Sequence, residues 1–151
     1  IALVQSGRAQ IALIEAQEVY PPDLTRSPVA ERTEIALFVA PTHALTRVQN
    51  IDPQALQQHR ELRLASIVSP YETRPLGRVW SAPSFLMLME MAQLGFGWAQ
   101  LPRWLVERFG NAGLVELNVR GWPRSVAVDA LWSRQYPPGP AGSWMLSQML
   151  E

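Results

Sequence analysis

The sequence predicts an α/β fold in which short strands alternate with helices along the chain. Three observations carry this prediction. Short apolar runs are bounded by Pro, Gly or polar residues, and between them apolar residues recur at helical spacing. Hydrophobic residues make up 48% of the 151 residues, enough to bury a core in one domain or two small lobes. Strands that alternate with helices are typical of a sheet covered by helices.

The first elements are a helix end and two strands. Residues Ile1–Ser6, stopped by Gly7, have the pattern of the last turns of a helix. Gln10–Glu15 predicts a strand buried on both faces, and Glu34–Ala40 predicts a second one. Between them, the prolines of Tyr20–Pro28 predict a loop.

A short helix begins after Asp52. Asp52 can accept backbone hydrogen bonds as its N-cap, and Pro53 suits the first helical position. Ile51 and Leu56 stand at the two positions of a hydrophobic staple. Leu62–Val68 then returns to strand character.

The strongest helical pattern follows a loop, Ser69–Gly77, and a short strand, Gly77–Trp80. It covers Pro83–Leu94, with apolar residues at helical spacing, and Gly95 ends it. Phe96–Leu101 predicts the next strand.

The remaining pattern is a helix, two strands and a closing helix. Pro102 opens a helix that Gly110 ends, and Leu114–Val119 predicts a strand. Ser125–Arg134 alternates with period two. Its Val126, Val128, Ala130 and Trp132 point to one side, and Asp129 is among the others. Ala141–Leu150 predicts the last helix.

Composition excludes several classes of protein. The 13 basic residues are balanced by 13 acidic ones, so these residues do not form the basic surface that grips a nucleic-acid backbone. Any DNA binding must therefore lie outside them. The chain has no Cys, which excludes disulfides and thiolate metal sites. The apolar run Phe85–Met89, like the slightly longer Ile35–Ala40, is far short of the roughly 20 residues of a membrane span, and no signal peptide is visible. We therefore expect a cytoplasmic protein without membrane contact.

No catalytic constellation emerges from the sequence. The only two histidines, His43 and His59, lack a metal-binding spacing, and His43 is interpreted as a loop residue that holds a turn. Gly95-Phe96-Gly97 lacks the third glycine of a dinucleotide-binding loop. Glu90 is expected to face solvent or an Arg. The sequence predicts no catalytic residue, no metal and no cofactor.

A binding site has better support at Ser81–Ser84, which opens the apolar helix with hydroxyl groups and unpaired backbone N–H groups. Such a helix start attracts carboxylates and other anions. The alternative is ordinary N-capping by Ser81 or Ser84. Arg74 and Arg78 lie close by in sequence and would add positive charge.

Several stretches, taken in order, resemble the LysR-type transcriptional regulators. The stretches are Leu3–Ile14, Phe38–Leu45, Ile51–Leu56, Gly95–Pro102, Gly113–Leu117, Ala130–Arg134 and Gly139–Ala141. Gly95–Pro102 resembles the family's GxGxxxLP segment, and Phe38–Leu45 resembles its apolar strand followed by P-x-H-P-L, with Ala44 in place of the last Pro. Gln10 stands where the family usually has Asp.

The resemblance implies a type 2 periplasmic-binding-protein-like fold, with two α/β lobes joined by two crossover strands and an effector cleft between the lobes. Glu34–Ala40 and Ser125–Trp132 are the expected crossovers. Residues 1–36 and 132–151 are assigned to lobe I and residues 37–131 to lobe II. Lobe I is expected to be incomplete, because its opening strand–helix–strand has no counterpart in these residues. The winged helix-turn-helix that reads DNA is expected to lie outside them too.

The resemblance also implies where the effector is bound. The wall from lobe II is expected to come from the Ser69–Arg74 loop, the helix start Ser81–Phe85 and the turn Gly97–Trp98. Glu15 and Ala16 are expected to face it from lobe I. The expected effector-binding residues are Ser81, Ser84, Phe85, Gly97, Trp98, Thr73, Arg74, Glu15 and Ala16. Phe85 and Trp98 favour a small carboxylate or aromatic effector.

The function implied is that of an effector-sensing domain and not of an enzyme. A metabolite would shift the balance between lobe arrangements, and homo-oligomer contacts would pass the change to DNA-binding domains absent from this chain. One alternative is an exported solute-binding protein of the same fold class. A second is an enzyme on a similar scaffold, which would need a catalytic residue from outside these residues.

Overall fold

The computed structural model describes residues 1–65, 78–111 and 113–150. The predicted loop Ser69–Gly77 lies outside the described residues, and so do the end of the strand predicted over Leu62–Val68 and the predicted site residues Thr73 and Arg74.

Strands and helices alternate along the chain, as predicted. In chain order the elements are α1 (Ala2–Gln5), β1 (Ala12–Glu15), β2 (Leu24–Pro28), β3 (Thr33–Val39), a 3₁₀ turn (Ala44–Arg47), α2 (Pro53–Leu56), β4 (Glu61–Leu64), β5 (Val79–Ala82), α3 (Phe85–Gln93), β6 (Trp98–Pro102), α4 (Arg103–Phe109), β7 (Val115–Glu116), β8 (Arg124–Val126), β9 (Val128–Ser133) and α5 (Pro140–Leu150).

The chain divides into two compact units. The first unit combines Ile1–Thr33 with Ser125–Glu151, and the second unit is Glu34–Arg124. The sequence assigned residues 125–131 to the second unit. They lie in the first unit, where residues 128–131 of β9 pair with β1 and residues 129–131 pair with β2 as well.

In the first unit, β9 is the middle strand of a three-stranded antiparallel sheet. Its residue Ala130 lies opposite Leu13 on one side and Ser27 on the other. The expectation that β1 is buried on both faces is wrong: it is an edge strand, and Leu13 is 49% exposed. The predicted loop over Tyr20–Pro28 is also corrected, because its second half forms β2 despite its prolines. An edge strand tolerates Pro, since one side of it forms no ladder.

The sheet of the second unit has β3 between two antiparallel neighbours, in the strand order β5-β4-β6-β3-β7. Strand β4 runs parallel to β5 and β6. Alternate residues of β3 enter two hydrophobic clusters: Ala36 and Phe38 pack with α3, and Leu37 and Val39 pack with α2. Because successive side chains of a strand point to opposite faces, the two clusters lie on opposite faces of this sheet.

Local signals placed α2 correctly. Asp52 is the N-cap and accepts a hydrogen bond from the Gln54 N–H at 2.9 Å, and Pro53 is the first helical residue. Ile51 and Leu56 are both buried in the cluster that also contains Leu37, as the staple predicted.

Two strands predicted in the last third have different limits. Leu114–Val119 is reduced to β7, while Val119 forms a separate parallel bridge with Ile51. Ser125–Arg134 is divided into β8 and β9. Within β9 the alternation of apolar and polar residues does not separate an exposed face from a buried one, because Asp129 is only 2% exposed.

Candidate functional site

The junction between β5 and α3 combines exposed hydroxyl groups with one buried residue that holds it against the core. Ala82 is buried in the core beneath α3, whereas Ser81 and Ser84 are exposed. Strand β5 pairs with β4, so Ser81 lies opposite Arg63 in the parallel ladder. The junction is therefore fixed by packing and pairing, while its polar atoms remain open to solvent.

The sequence predicts a helix from Pro83, but α3 begins two residues later, at Phe85. Ser84 is its N-cap, and its Oγ accepts a hydrogen bond from the Met87 N–H at 3.3 Å. The first intrahelical bond runs from the Leu88 N–H to the Ser84 carbonyl. The N–H groups of Phe85 and Leu86 have no intrahelical acceptor at this position.

The start of α3 is therefore both capped and able to attract an anion. The sequence of the first turn, Phe85–Leu88, holds no acidic residue that would neutralise the positive end of the helix dipole. Capping by Ser84, which the sequence offered as an alternative to anion binding, uses the N–H of Met87 and leaves those of Phe85 and Leu86. The two functions are compatible.

Phe85 and Trp98, expected to line one pocket, belong to different clusters. Phe85 is partly buried against the cluster beneath α3. Trp98 is 7% exposed in the cluster on the opposite face of the sheet, where its indole N–H donates to the Leu56 carbonyl at 3.0 Å. The alternation along β6 separates them, because Ala99 and not Trp98 faces α3.

Gly97 occupies a position with no room for a side chain. A Cβ at this residue would lie 2.3 Å from the Arg60 carbonyl oxygen, next to the hydrogen bond from the Trp98 N–H to that same oxygen. The close approach of the two main chains is a sufficient structural reason for glycine here.

Glu15 and Ala16 end β1 in the first unit, and both are exposed. Glu15 lies opposite Val128 in the ladder, and the Ala16 N–H donates to the Ala127 carbonyl at 2.9 Å. The main chain at this point is therefore tied to the β8–β9 segment, and the Glu15 carboxylate is free to meet solvent or a ligand.

Sequence reasoning missed a polar network in the first unit. The buried carboxylate of Asp129 accepts hydrogen bonds from the Tyr20 hydroxyl at 2.5 Å and from the Arg26 guanidinium at 3.2 Å. Tyr20 and Asp129 are 109 positions apart, so no local spacing connects them. A carboxylate inside an otherwise apolar strand was the one available signal, because buried charges require partners.

His43 has the structural position expected for it. Its Nδ1 accepts a hydrogen bond from the Leu45 N–H at 3.2 Å and so caps the 3₁₀ turn. Burial, and then the neighbouring His59, lower the pKa of His43 from its ordinary value. The two rings lie 5.1 Å apart. A neutral imidazole that accepts at Nδ1 carries its proton on Nε2, so the Nδ1 lone pair of His43 is engaged by the Leu45 N–H.

Within residues 1–65, 78–111 and 113–150, no group of three or more His, Asp or Glu side chains is arranged to hold a metal ion. In the same part of the chain, no helix has the length and apolar character needed to cross a membrane.

Solved structures with the same fold cover nearly the whole chain. The effector binding domain of QuiR in complex with shikimate has a TM-score of 0.72 at 13% identity, over 99% of this chain and 74% of that one. The regulatory domain of CcmR from Synechocystis PCC6803 in complex with 2-PG has a TM-score of 0.70 at 15% identity, over 99% and 76%. The regulatory domain of NMB2055 (MetR), a LysR family regulator from N. meningitidis, has a TM-score of 0.68 at 14% identity, over 99% and 72%. The fold is thus the periplasmic-binding-protein-like α/β fold of regulatory, effector-binding domains.

The sequence agrees with the fold. The model of the LysR substrate binding domain matches residues 1–151, and the chain belongs to this family. Among curated relatives, the transcriptional regulator MetR of Escherichia coli K12 is 29% identical over 138 residues, which is 85% of this chain. The chain spans 41% of the length of that relative. The resemblance drawn from the sequence is confirmed.

Proposed function

We propose that this chain is the effector-sensing domain of a LysR-type transcriptional regulator, and that it binds a small metabolite without transforming it. The match of the family model over residues 1–151 carries this proposal. The exposed junction between β5 and α3 supports it, because its hydroxyl groups and N–H groups can bind a ligand but include no nucleophile paired with a base.

The effector class that fits best is a small carboxylate or an aromatic acid. The N–H groups of Phe85 and Leu86 and the hydroxyl groups of Ser81 and Ser84 are donors suited to a carboxylate. The QuiR and CcmR domains of the same fold are complexes with shikimate and 2-PG, respectively. Gly97, Trp98, Thr73, Arg74, Glu15 and Ala16 stay predicted members of the site, and the placement of the effector in an interlobe cleft stays a prediction.

The proposed mechanism is a population shift in the cytoplasm. An effector that prefers one conformation of the domain shifts the equilibrium by its difference in affinity for the two states. The shift would reach DNA through a helix-turn-helix domain outside these residues and through homo-oligomer contacts.

A thermal-shift screen tests the binding function directly. Shikimate, 2-PG, benzoate and succinate would each be titrated against the chain. A ligand at about 100 times its Kd stabilises a protein by about 2.7 kcal/mol, which raises Tm by about 5–10 °C for a chain of this size. If none of the four acids raises Tm at concentrations up to about 10 mM, the proposed effector class is contradicted.

Two variants of Ser84 locate the site. Ser84→Asp and Ser84→Asn both keep a good N-cap for α3, so they are matched in helix stability and differ in charge. We expect Ser84→Asp to abolish the shift produced by a carboxylate and Ser84→Asn to retain part of it. Equal shifts in the two variants would move the site away from the start of α3.

A further inference from the structure

Asp129 holds a buried charge in the sheet of the first unit. It is 2% exposed on β9, the middle strand of that sheet. Its carboxylate accepts from Tyr20 and from Arg26, and the Arg26 guanidinium also lies 5.4 Å from the centroid of the Tyr20 ring. A buried carboxylate is costly unless such partners are kept, so the network defines one position for the Tyr20 hydroxyl.

That hydroxyl is also an acceptor for the main chain. The Gln17 N–H donates to the Tyr20 Oη at 2.8 Å, and the preceding Ala16 N–H donates to the Ala127 carbonyl at 2.9 Å. The segment that follows β1 is therefore joined twice to the β8–β9 region, once directly and once through Tyr20 and Asp129. Both bonds lie immediately beyond Glu15.

We propose that Tyr20 is a positioning residue for Glu15–Gln17. Its hydroxyl links the Gln17 N–H to the carboxylate of Asp129. This link fixes the end of β1, whose residues Glu15 and Ala16 are predicted to contact the effector. This inference rests on the proposed function for the assignment of Glu15 and Ala16. The hydroxyl alone performs this task, because it donates to the carboxylate and accepts from the main chain at once, which a phenylalanine cannot do.

The acid–base behaviour of Tyr20 agrees with this geometry. Partial burial, and then the hydrogen bond to Asp129, raise the pKa of the Tyr20 phenol above its ordinary value, and the Gln17 N–H acts in the opposite direction. A tyrosinate at this position would face the Asp129 carboxylate with like charge, so the hydroxyl is kept protonated and the link is kept closed.

Amide exchange of the chain tests the link without any ligand. We expect Tyr20→Phe to accelerate exchange of the Gln17 amide about tenfold, the effect of losing one hydrogen bond, with a smaller increase at Ala16. Tyr136→Phe is the matched control: it removes a hydroxyl from a half-exposed tyrosine of the same unit, whose ring packs near Gly7. Unchanged exchange at Gln17 in Tyr20→Phe, or equal acceleration in both variants, would overturn the proposal.

Absorbance titration of the tyrosines separates the link from simple space filling. The chain has three tyrosines. We expect the raised pKa of Tyr20 to be absent from the titration of Tyr20→Phe, to move down in Asp129→Asn, and to remain in Tyr136→Phe. A normal titration of Tyr20 that is insensitive to Asp129→Asn would contradict the link even if the variants were less stable.

Binding of shikimate and 2-PG then distinguishes this inference from the proposed function. If either probe stabilises the parent chain, Tyr20→Phe should weaken its affinity about fivefold or more, and unchanged affinity would refute positioning of the site. If neither probe binds, the proposed effector class fails, while exchange at Gln17 and the titration of Tyr20 still decide whether the hydroxyl holds the segment.

Discussion

Strands β1 and β3 share almost the same core sequence and have different environments. Ile11–Ile14 reads Ile-Ala-Leu-Ile and Ile35–Phe38 reads Ile-Ala-Leu-Phe. Leu37 is 0% exposed in β3, which lies between two neighbouring strands and has a hydrophobic cluster on each face, whereas Leu13, in β1, is 49% exposed at the edge of its sheet. A short apolar run therefore predicts a strand, but the burial of each face depends on which elements pack against it.

The largest effect is expected from the same substitution made in the two strands. Leu37→Ala removes a fully buried side chain and should lower the free energy of unfolding by about 3–5 kcal/mol. Leu13→Ala should lower it by less than about 1 kcal/mol, because half of that side chain is in water already. Urea denaturation of the two variants measures the difference, and equal losses would show that β1 is buried in solution.

A smaller effect on stability is expected at Gly97, where the start of β6 lies against the main chain of Arg60. Gly97→Ala should cost about 1–3 kcal/mol, because its Cβ would meet the main-chain oxygen of Arg60, which cannot rotate away. Gly139→Ala in the first unit is the control, since nothing lies within 4 Å of a Cβ there. Thermal denaturation of both variants checks this, and a tolerated Gly97→Ala would mean that the two main chains can separate.

The smallest effect concerns pH and is confined to the second unit. The pKa of His43 is lowered in the folded state from its ordinary 6.5, so the unfolded chain takes up the proton first as pH falls. The contribution of neutral His43 to the free energy of unfolding is therefore fully present above about pH 6.5, and it is lost as pH falls from there through the folded pKa. Protonation at Nδ1 also opposes the hydrogen bond from the Leu45 N–H.

His43→Asn provides the control for this pH dependence. Asn is also a good cap but carries no charge in either state. The loss of stability between pH 7.5 and 5.5 should be smaller in His43→Asn than in the parent chain, as measured by urea denaturation at each pH. An equal loss in both would assign the pH dependence to other groups.

Local chemistry made part of this molecule predictable. Asp52 and Pro53 act within a few residues of themselves, and the sequence identifies them as a helix start, while Ser84 is one of its two candidate caps for α3. The family resemblance had a similar basis, because it rests on short motifs in a fixed order and the family model matches the whole chain.

The rest depended on partners distant in sequence. The sequence does not reveal that the Trp98 side chain lies in the core beside Leu56, because this position depends on the neighbours of β6. The sequence around Tyr20 predicts only a loop, because its partner Asp129 lies in a strand near the other end of the sequence. The expectations for Thr73 and Arg74 concern residues outside the described part of the chain.

The central place of β9 in the first sheet has a consequence for synthesis on the ribosome. The second unit is one continuous segment, Glu34–Arg124, so it can fold as soon as that segment has left the ribosome. Strands β1 and β2 emerge earlier, and in the described part of the chain their only partner strand is β9, so they must wait for it while the second unit is made. At about 5–20 residues per second, this delay lasts several seconds. Within this segment, the strands made before the second unit are thus paired after it, and their edges lack partners in the interval.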